Sequence, residues 1–496
     1  MDFIGWSIDI AREQWPSEAW LSRVLADSRD AGYNAVGLYL EHRYAYPSAP
    51  WAAGEGCLPP EVVRRLVEKF KDTGPRIIPF INTLGHMEGF IRSEGGQWLG
   101  EGPAAGALSL QMCPSRSECV DFARGLVSDI LDVFTDEWIH LGGDETKQLG
   151  QCPRCAARAE TIGKAGIYAE YYAPLCRWVI ERGRRPCLWG DMLLAHPEAM
   201  DAIPRETLIF DWQYESRPAE STRKFREHGF DVICCPAIQT YNSGWCFLDA
   251  SQRNIDQHAE DAGVCDALGV LVTTWEFKCF SSYASVMPLI MAAARRLARG
   301  EEWDAAIEAV AGPAYARVAD ILGNRIPAAS AFLAPDTWRH LRDRLVMRCD
   351  PFELWREWRQ EACSDTGDTV LALCNEAAES IASDSELRFP IELHQVAVQW
   401  VRQIERAAGH YTERDFAAAA RAVADGASVL ERLRPELKRI AAGGGSAADV
   451  HRLTSLQAKV AAAAERIGML AAPTGYIPSF ETIVRDRHIQ DDQAAW

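Results

Sequence analysis

Eight short apolar runs recur through roughly the first 300 residues, at 3–10, 35–40, 76–81, 138–141, 186–189, 208–212, 231–236 and 270–275. Between several of them lie stretches with helical periodicity, at 17–31 (Ser17 in the N-cap place, Glu18 in the first turn), 59–72, 116–134 and 167–182. Runs that are apolar almost throughout are buried on both faces, which parallel strands covered by helices achieve. Eight such units predict an α/β chain whose residues 1–300 form a (β/α)8 TIM barrel. No Gly-x-Gly-x-x-Gly follows the first run, which weighs against an open dinucleotide-binding sheet. Past Gly300 the strand-like runs vanish and Ala, Arg, Glu and Leu recur at helical spacing, as in 415–433 and 448–470. Gly443-Gly444-Gly445-Ser446 breaks that pattern. Residues 301–496 therefore read as an α-helical C-terminal domain, without the fixed 30–50-residue period of a solenoid.

Charge narrows the partners. The 496 residues hold 52 Lys and Arg against 70 Asp and Glu, a net charge of −18. That sign repels phosphate backbones and anionic lipid, so neither nucleic acid nor membrane is expected as a partner. No run of 18 apolar residues occurs, and Met1-Asp2-Phe3-Ile4-Gly5-Trp6 lacks the basic start of a signal peptide. With 15 cysteines scattered through apolar segments, reduced thiols and a cytoplasmic location are expected.

Catalytic groups of a TIM barrel sit at the C-terminal ends of its strands. Those ends bring Asp9 and Arg12, then Glu41 and His42, then Asn82, Gly85 and His86, then Asp144 and Glu145. They continue with Trp189 and Asp191, Asp211, Trp212 and Tyr214, Tyr241 and Asn242, and finally Trp275 and Glu276. Carboxylates beside tryptophans suit a sugar, whose C–H face stacks on indole while its hydroxyls bond to acids. The sharpest element is His140-Leu141-Gly142-Gly143-Asp144-Glu145-Thr146. Neighbours on a regular strand point to opposite faces. The two glycines free the backbone to turn, so that both acids can enter one pocket. Two adjacent carboxyls there are expected to repel, raising one pKa and leaving a proton to donate.

The segment 140–145 resembles the signature of family 20 glycoside hydrolases, the β-N-acetylhexosaminidases. Arg12 resembles the arginine that holds the sugar 3- and 4-hydroxyls, and Glu41 falls where the family usually has Asp. Gly85-His86 resembles its Gly-His after strand three, and His86 is expected in the pocket, supporting Asp144 or Glu145 by a hydrogen bond. Trp189, Trp212 and Trp275 resemble the tryptophans around the acetamido methyl, and Tyr241 the tyrosine that bonds the acetamido oxygen. Asp191, Tyr214 and Asn242 stand at strand ends, where they can bind hydroxyls. Glu276 directly follows Trp275, whereas the family usually shows Trp-x-Glu, and Ser243 stands where an Asp is common. Both departures touch groups that read the 4- and 6-hydroxyls, so the choice between N-acetylglucosamine and N-acetylgalactosamine stays open. With strand one at Phe3, the resemblance covers a barrel without the β-rich domain that often precedes it.

The resemblance implies a retaining exo-β-N-acetylhexosaminidase acting on a 2-acetamido-2-deoxy-β-glycoside without a cofactor. Catalysis would be substrate-assisted, an exception to the usual two-carboxylate scheme. The acetamido oxygen closes on the anomeric carbon to give an oxazolinium ion, Asp144 bonds the acetamido N–H, Glu145 is general acid then base, and Tyr241 orients the amide. Two rival readings are a barrel glycosidase on non-acetylated sugars with a distant second carboxylate such as Glu276, and a non-catalytic carbohydrate-binding protein. Any homo-oligomer is expected to form through the helical half. Cys152-Pro153-Arg154-Cys155 offers only two metal ligands, to which Cys113 or Cys119 can add only by tertiary proximity. Packing is the default reading of that pair, and no metal is expected.

Overall fold

The computed structural model describes residues 1–11, 17–102, 109–241, 243–275, 280–334, 341–342, 344–345, 350–360, 366–442, 448–471 and 476–487. The expected strands form. They are β1 (Phe3–Asp9), β2 (Ala35–Tyr39), β3 (Arg76–Phe80), β4 (Trp138–His140), β5 (Arg185–Trp189), β6 (Leu208–Trp212), β7 (Asp231–Cys235), β8 (Ala237–Ile238) and β9 (Gly269–Thr274). All pairings are parallel. The sheet runs in order from β1 to β7, continues to β9, and closes where Phe3 pairs with Gly269. Eight strands thus make the barrel. The short β8 only extends its rim, with Ala237 beside Thr273. Pro236 separates β8 from β7 and, lacking an N–H, interrupts the ladder there.

The interior is filled by the inward side chains of these strands. Phe3, Tyr39, Phe80, Trp138, Trp189, Phe210 and Leu271 belong to one buried cluster, with Trp212 and Trp275 packed against it. A barrel packed this way has no pore, and chemistry is left to its rim. The flanking helices bury an apolar stripe. Along Glu18–Ala31 these residues are Leu21, Val24, Leu25 and Ala31, and Ser17 caps the first turn by accepting the Trp20 N–H. Ser28 Oγ, on the same stripe, accepts from Trp6 Nε1 of β1 at 2.9 Å, which fixes helix to strand.

The chain divides into two compact units. The first is Met1–Ile238, Ser251–Trp275 and Leu289–Ala306; the second is Gln239–Ala250, Glu276–Pro288 and Ile307–Trp496. The second unit is helical among its described residues. Its longest helix, Arg388–Thr412, buries Phe389, Leu393, Val396, Trp400, Ile404 and Tyr411 at three- and four-residue spacing. Phe416–Glu431 starts on an Asp415 cap, and Ala448–Gly468 follows the glycine-rich segment, which lies outside the described residues. No helix among the described residues is long and apolar enough to cross a membrane.

Candidate active site

The rim at the ends of β2 to β6 gathers the acids. Three non-glycine residues just beyond consecutive strands have left-handed backbone: Glu41 (φ 41°), His86 (φ 51°) and Glu145 (φ 44°). Such conformations are uncommon outside glycine and cluster at functional sites. Gly142 (φ 76°) and Gly143 (φ 96°) make the turn that brings in Asp144 and Glu145. A Cβ at Gly142 would strike Asn82 and one at Gly143 the Tyr168 hydroxyl, so both space and dihedral exclude a larger residue. The turn is bonded as well as bent. Tyr168 Oη donates to the Gly143 carbonyl at 2.9 Å, and Thr83 Oγ1 to the Leu141 carbonyl at 2.8 Å.

The outcome is that Asp144 and Glu145 face one group. His86 Nε2 lies 3.3 Å from Asp144 Oδ2 and 3.4 Å from Glu145 Oε2. Gly85 lets this loop approach, because a Cβ there would collide with the Asp144 carbonyl. Burial alone would push the imidazole down, but Asp144 and then Glu145 outweigh it and raise His86 to about 11. The expectation that mutual repulsion raises a pKa within the pair is corrected for Glu145. The His86 hydrogen bond, opposed by burial and aided by Lys147, holds it down to about 2. A cation between two carboxylates replaces repulsion with attraction.

The raised acid is Asp191, pushed up to about 7 by burial and by the nearby Asp144 charge. Its Oδ2 accepts the Glu145 backbone N–H at 2.9 Å, so it anchors the strained residue directly. Trp212 also hydrogen-bonds to it. Asp144 Oδ1 is buried and accepts no hydrogen bond from the described residues. That vacant acceptor stands beside one already engaged.

Aromatic groups line the neighbouring strand ends. Trp275 Nε1 donates to Tyr214 Oη at 2.6 Å, and Tyr214 stacks on Trp212 with centroids 5.1 Å apart. Trp275 meets Tyr39 edge-on at 4.9 Å. Trp189, expected at the pocket wall, is 1% exposed and packs among Phe80, His140 and Phe210 in the barrel interior. Its contact with Trp275 makes it a support for that ring. Asp211 is structural: it is buried and accepts from Ser221 and Thr222. Glu41 is buried and accepts from Tyr39 Oη at 2.9 Å, which in turn accepts from Asn82 Nδ2 at 2.7 Å.

Tyr241 belongs to the second unit, in a loop whose Ser243 carbonyl accepts from Arg342 Nε at 3.0 Å. Arg12, Asn242 and Glu276 lie outside the described residues. Sequence reasoning missed Lys147, whose Nζ pairs with Glu145 Oε1 at 2.8 Å, and the Asn82–Tyr39–Glu41 chain. The signal for Lys147 was its place two residues after the acid. The chain joins β2 to β3 through side chains whose meeting the strand order alone does not specify.

Comparison with known proteins bears on the same region. Residues 35–278 match "Glycosyl hydrolase family 20, catalytic domain". Beta-hexosaminidase 1 of Coccidioides posadasii is 22% identical over 206 residues, 37% of this chain and 33% of that protein. Hexosaminidase D of Bos taurus is 21% identical over 296 residues, 55% of this chain and 85% of its own length. The match thus spans about a third of the former relative and most of the latter. The crystal structure of a Flavobacterium johnsoniae chitobiase shares the fold, with TM-score 0.52, 14% identity and coverage of 97% of this chain and 74% of that one.

Proposed function

The chain belongs to glycoside hydrolase family 20 through residues 35–278, and from that premise we propose that it is a retaining exo-β-N-acetylhexosaminidase. The observation that carries this reading is the convergence of Asp144 and Glu145 on His86, with an unused, buried Asp144 oxygen beside them. A 2-acetamido N–H supplies the donor that this oxygen lacks, and satisfying a buried charged acceptor is worth more than a surface hydrogen bond.

In the proposed reaction the acetamido oxygen attacks the anomeric carbon as the glycosidic bond breaks. The leaving oxygen takes a proton from Glu145. Asp144, fixed by His86, stabilises the positive charge that spreads over the oxazolinium ring. Water then enters at the anomeric carbon, gives its proton to Glu145 and regenerates the acetamide. Glu145 is an anion in the unliganded site, so it must take up a proton first. A bound sugar supplies the cause: it displaces water around the carboxyl, and further burial favours the neutral form. Trp212, Tyr214 and Trp275 offer the apolar face on which the sugar rests.

A panel of aryl β-GlcNAc, β-GalNAc, β-glucoside and β-galactoside substrates tests this. Turnover confined to one or both 2-acetamido sugars, with inhibition by a thiazoline that imitates the oxazolinium ring, is expected. Equal turnover of the sugars without the acetamido group would overturn it.

A further inference from the structure

The loop that leaves the catalytic pair runs into a cluster of sulfur. Cys113 Sγ lies 3.6 Å from Cys152 Sγ and 3.5 Å from Cys155 Sγ, and the three sulfurs all fall within 4.8 Å of one another. We propose that Cys113, Cys152 and Cys155 bind one structural zinc ion that staples the catalytic loop to the segment after β3.

Three features support a built site. Four ligands about 2.3 Å from a tetrahedral zinc stand about 3.8 Å apart, close to the two measured separations. Cys152-Pro153-Arg154-Cys155 forms a knuckle, in which the Cys155 backbone N–H donates to Cys152 Sγ at 3.4 Å while Cys152 caps the helix Pro153–Ile180. Ser115 Oγ accepts from Cys155 Sγ at 3.1 Å, so an oxygen borders the cluster as a candidate fourth ligand.

The surroundings show what such an ion would hold. Between Glu145 and Cys152 the chain is a succession of turns, with Gln151 N–H bonded to the Gln148 carbonyl at 3.1 Å. Gln148 and Leu110–Gln111 exchange two hydrogen bonds of 2.8 and 2.9 Å. The buried Glu101 carboxylate accepts the N–H groups of Gly150 and Gln151 at 2.9 and 3.0 Å. These bonds join the same two segments that Cys113 and Cys152 would join through the metal. The ion takes no part in the proposed chemistry; it limits how far the loop bearing Glu145 and Lys147 can wander.

The full chain, purified without chelator under reducing conditions and supplied with zinc, should carry about one equivalent by elemental analysis. Cobalt added to the metal-free chain should give intense thiolate-to-cobalt charge-transfer absorption. Cys152→Ser and Cys155→Ser should each lose most of the bound metal, whereas Cys57→Ser, outside the cluster, keeps it. Chelation should lower the melting temperature of the parent chain and leave that of Cys155→Ser unmoved. Absence of tight zinc from the folded parent chain, with all three thiols free to titrate or with two of them joined in a disulfide, would overturn the site. The cobalt spectrum needs no variant, so misfolding of a serine substitution does not shield the proposal. None of these readouts depends on hexosaminidase activity.

Discussion

Lys147 Nζ stands 2.8 Å from Glu145 Oε1 while His86 Nε2 stands 3.4 Å from its other oxygen, so the carboxylate is held at both ends by cations. The two holds differ in strength. The Lys147 side chain is 76% exposed, which leaves it screened by water, whereas His86 is largely covered. Lys147→Met should raise the Glu145 pKa modestly, by less than about one unit. A general acid works while protonated, and Glu145 gains its proton in the sugar complex, so the basic limb of kcat should move to higher pH. The pH profile at low salt checks this, and a shift to lower pH would contradict the assignment.

His86 carries a pH signature in stability. Its folded pKa, about 11, lies above the ordinary value of 6.5. A group raised in this way stabilises the fold fully below about 6.5, and that contribution is lost as pH climbs towards 11. Replacing it by neutral glutamine should therefore cost most stability near pH 6 and progressively less above neutrality. Melting temperatures of the parent and His86→Gln across this window measure the convergence.

Asp191 titrates with the opposite chemistry but the same slope. Its carboxyl is raised from 3.8 to about 7, so the folded state grips a proton that the unfolded chain has released. Stability falls as pH rises between those values. Asn keeps an oxygen to accept the Glu145 N–H and cannot ionise. Asp191→Asn should gain stability relative to the parent between pH 4 and 7, while Asp191→Ala, which leaves that N–H without its acceptor, should lose stability and lower kcat about tenfold or more. Thermal melts and steady-state kinetics on the two variants separate positioning from charge.

The acid pair should divide by leaving group. Glu145→Gln is expected to lose about 10²–10⁴ in rate on glycosides with poor leaving groups and far less on activated aryl glycosides. Asp144→Asn is expected to lose about 10²–10³ on both, because charge on the sugar develops whatever departs. Equal small losses on every substrate would contradict both roles.

The barrel was legible because burial on both faces writes strands as almost unbroken apolar runs, as at 35–39 and 208–210. The turn at Gly142-Gly143 was legible for a related reason: two glycines before two acids leave few other uses. What the sequence withheld depends on distance in space. A hydrogen bond from His86 to one of the acids was expected, but nothing local places it between both, 58 and 59 positions further on, so repulsion was expected where attraction prevails. Trp189 followed the aromatic pattern of a wall yet lies in the interior, because inward residues of a barrel become core or rim according to depth along the axis. The partnership of Cys113 with Cys152 and Cys155 spans 39 and 42 positions and emerges only when the two loops meet.

The left-handed backbone at Glu41, His86 and Glu145 has a bearing on descent. Each position would be more comfortable as glycine, since an ordinary side chain there costs roughly 1–2 kcal/mol. A lineage released from catalysis would drift towards Gly or Asn at these three places while its barrel stayed intact. Relatives that keep the fold but carry Gly or Asn at these three places would have given up the side chains that this rim gathers around His86.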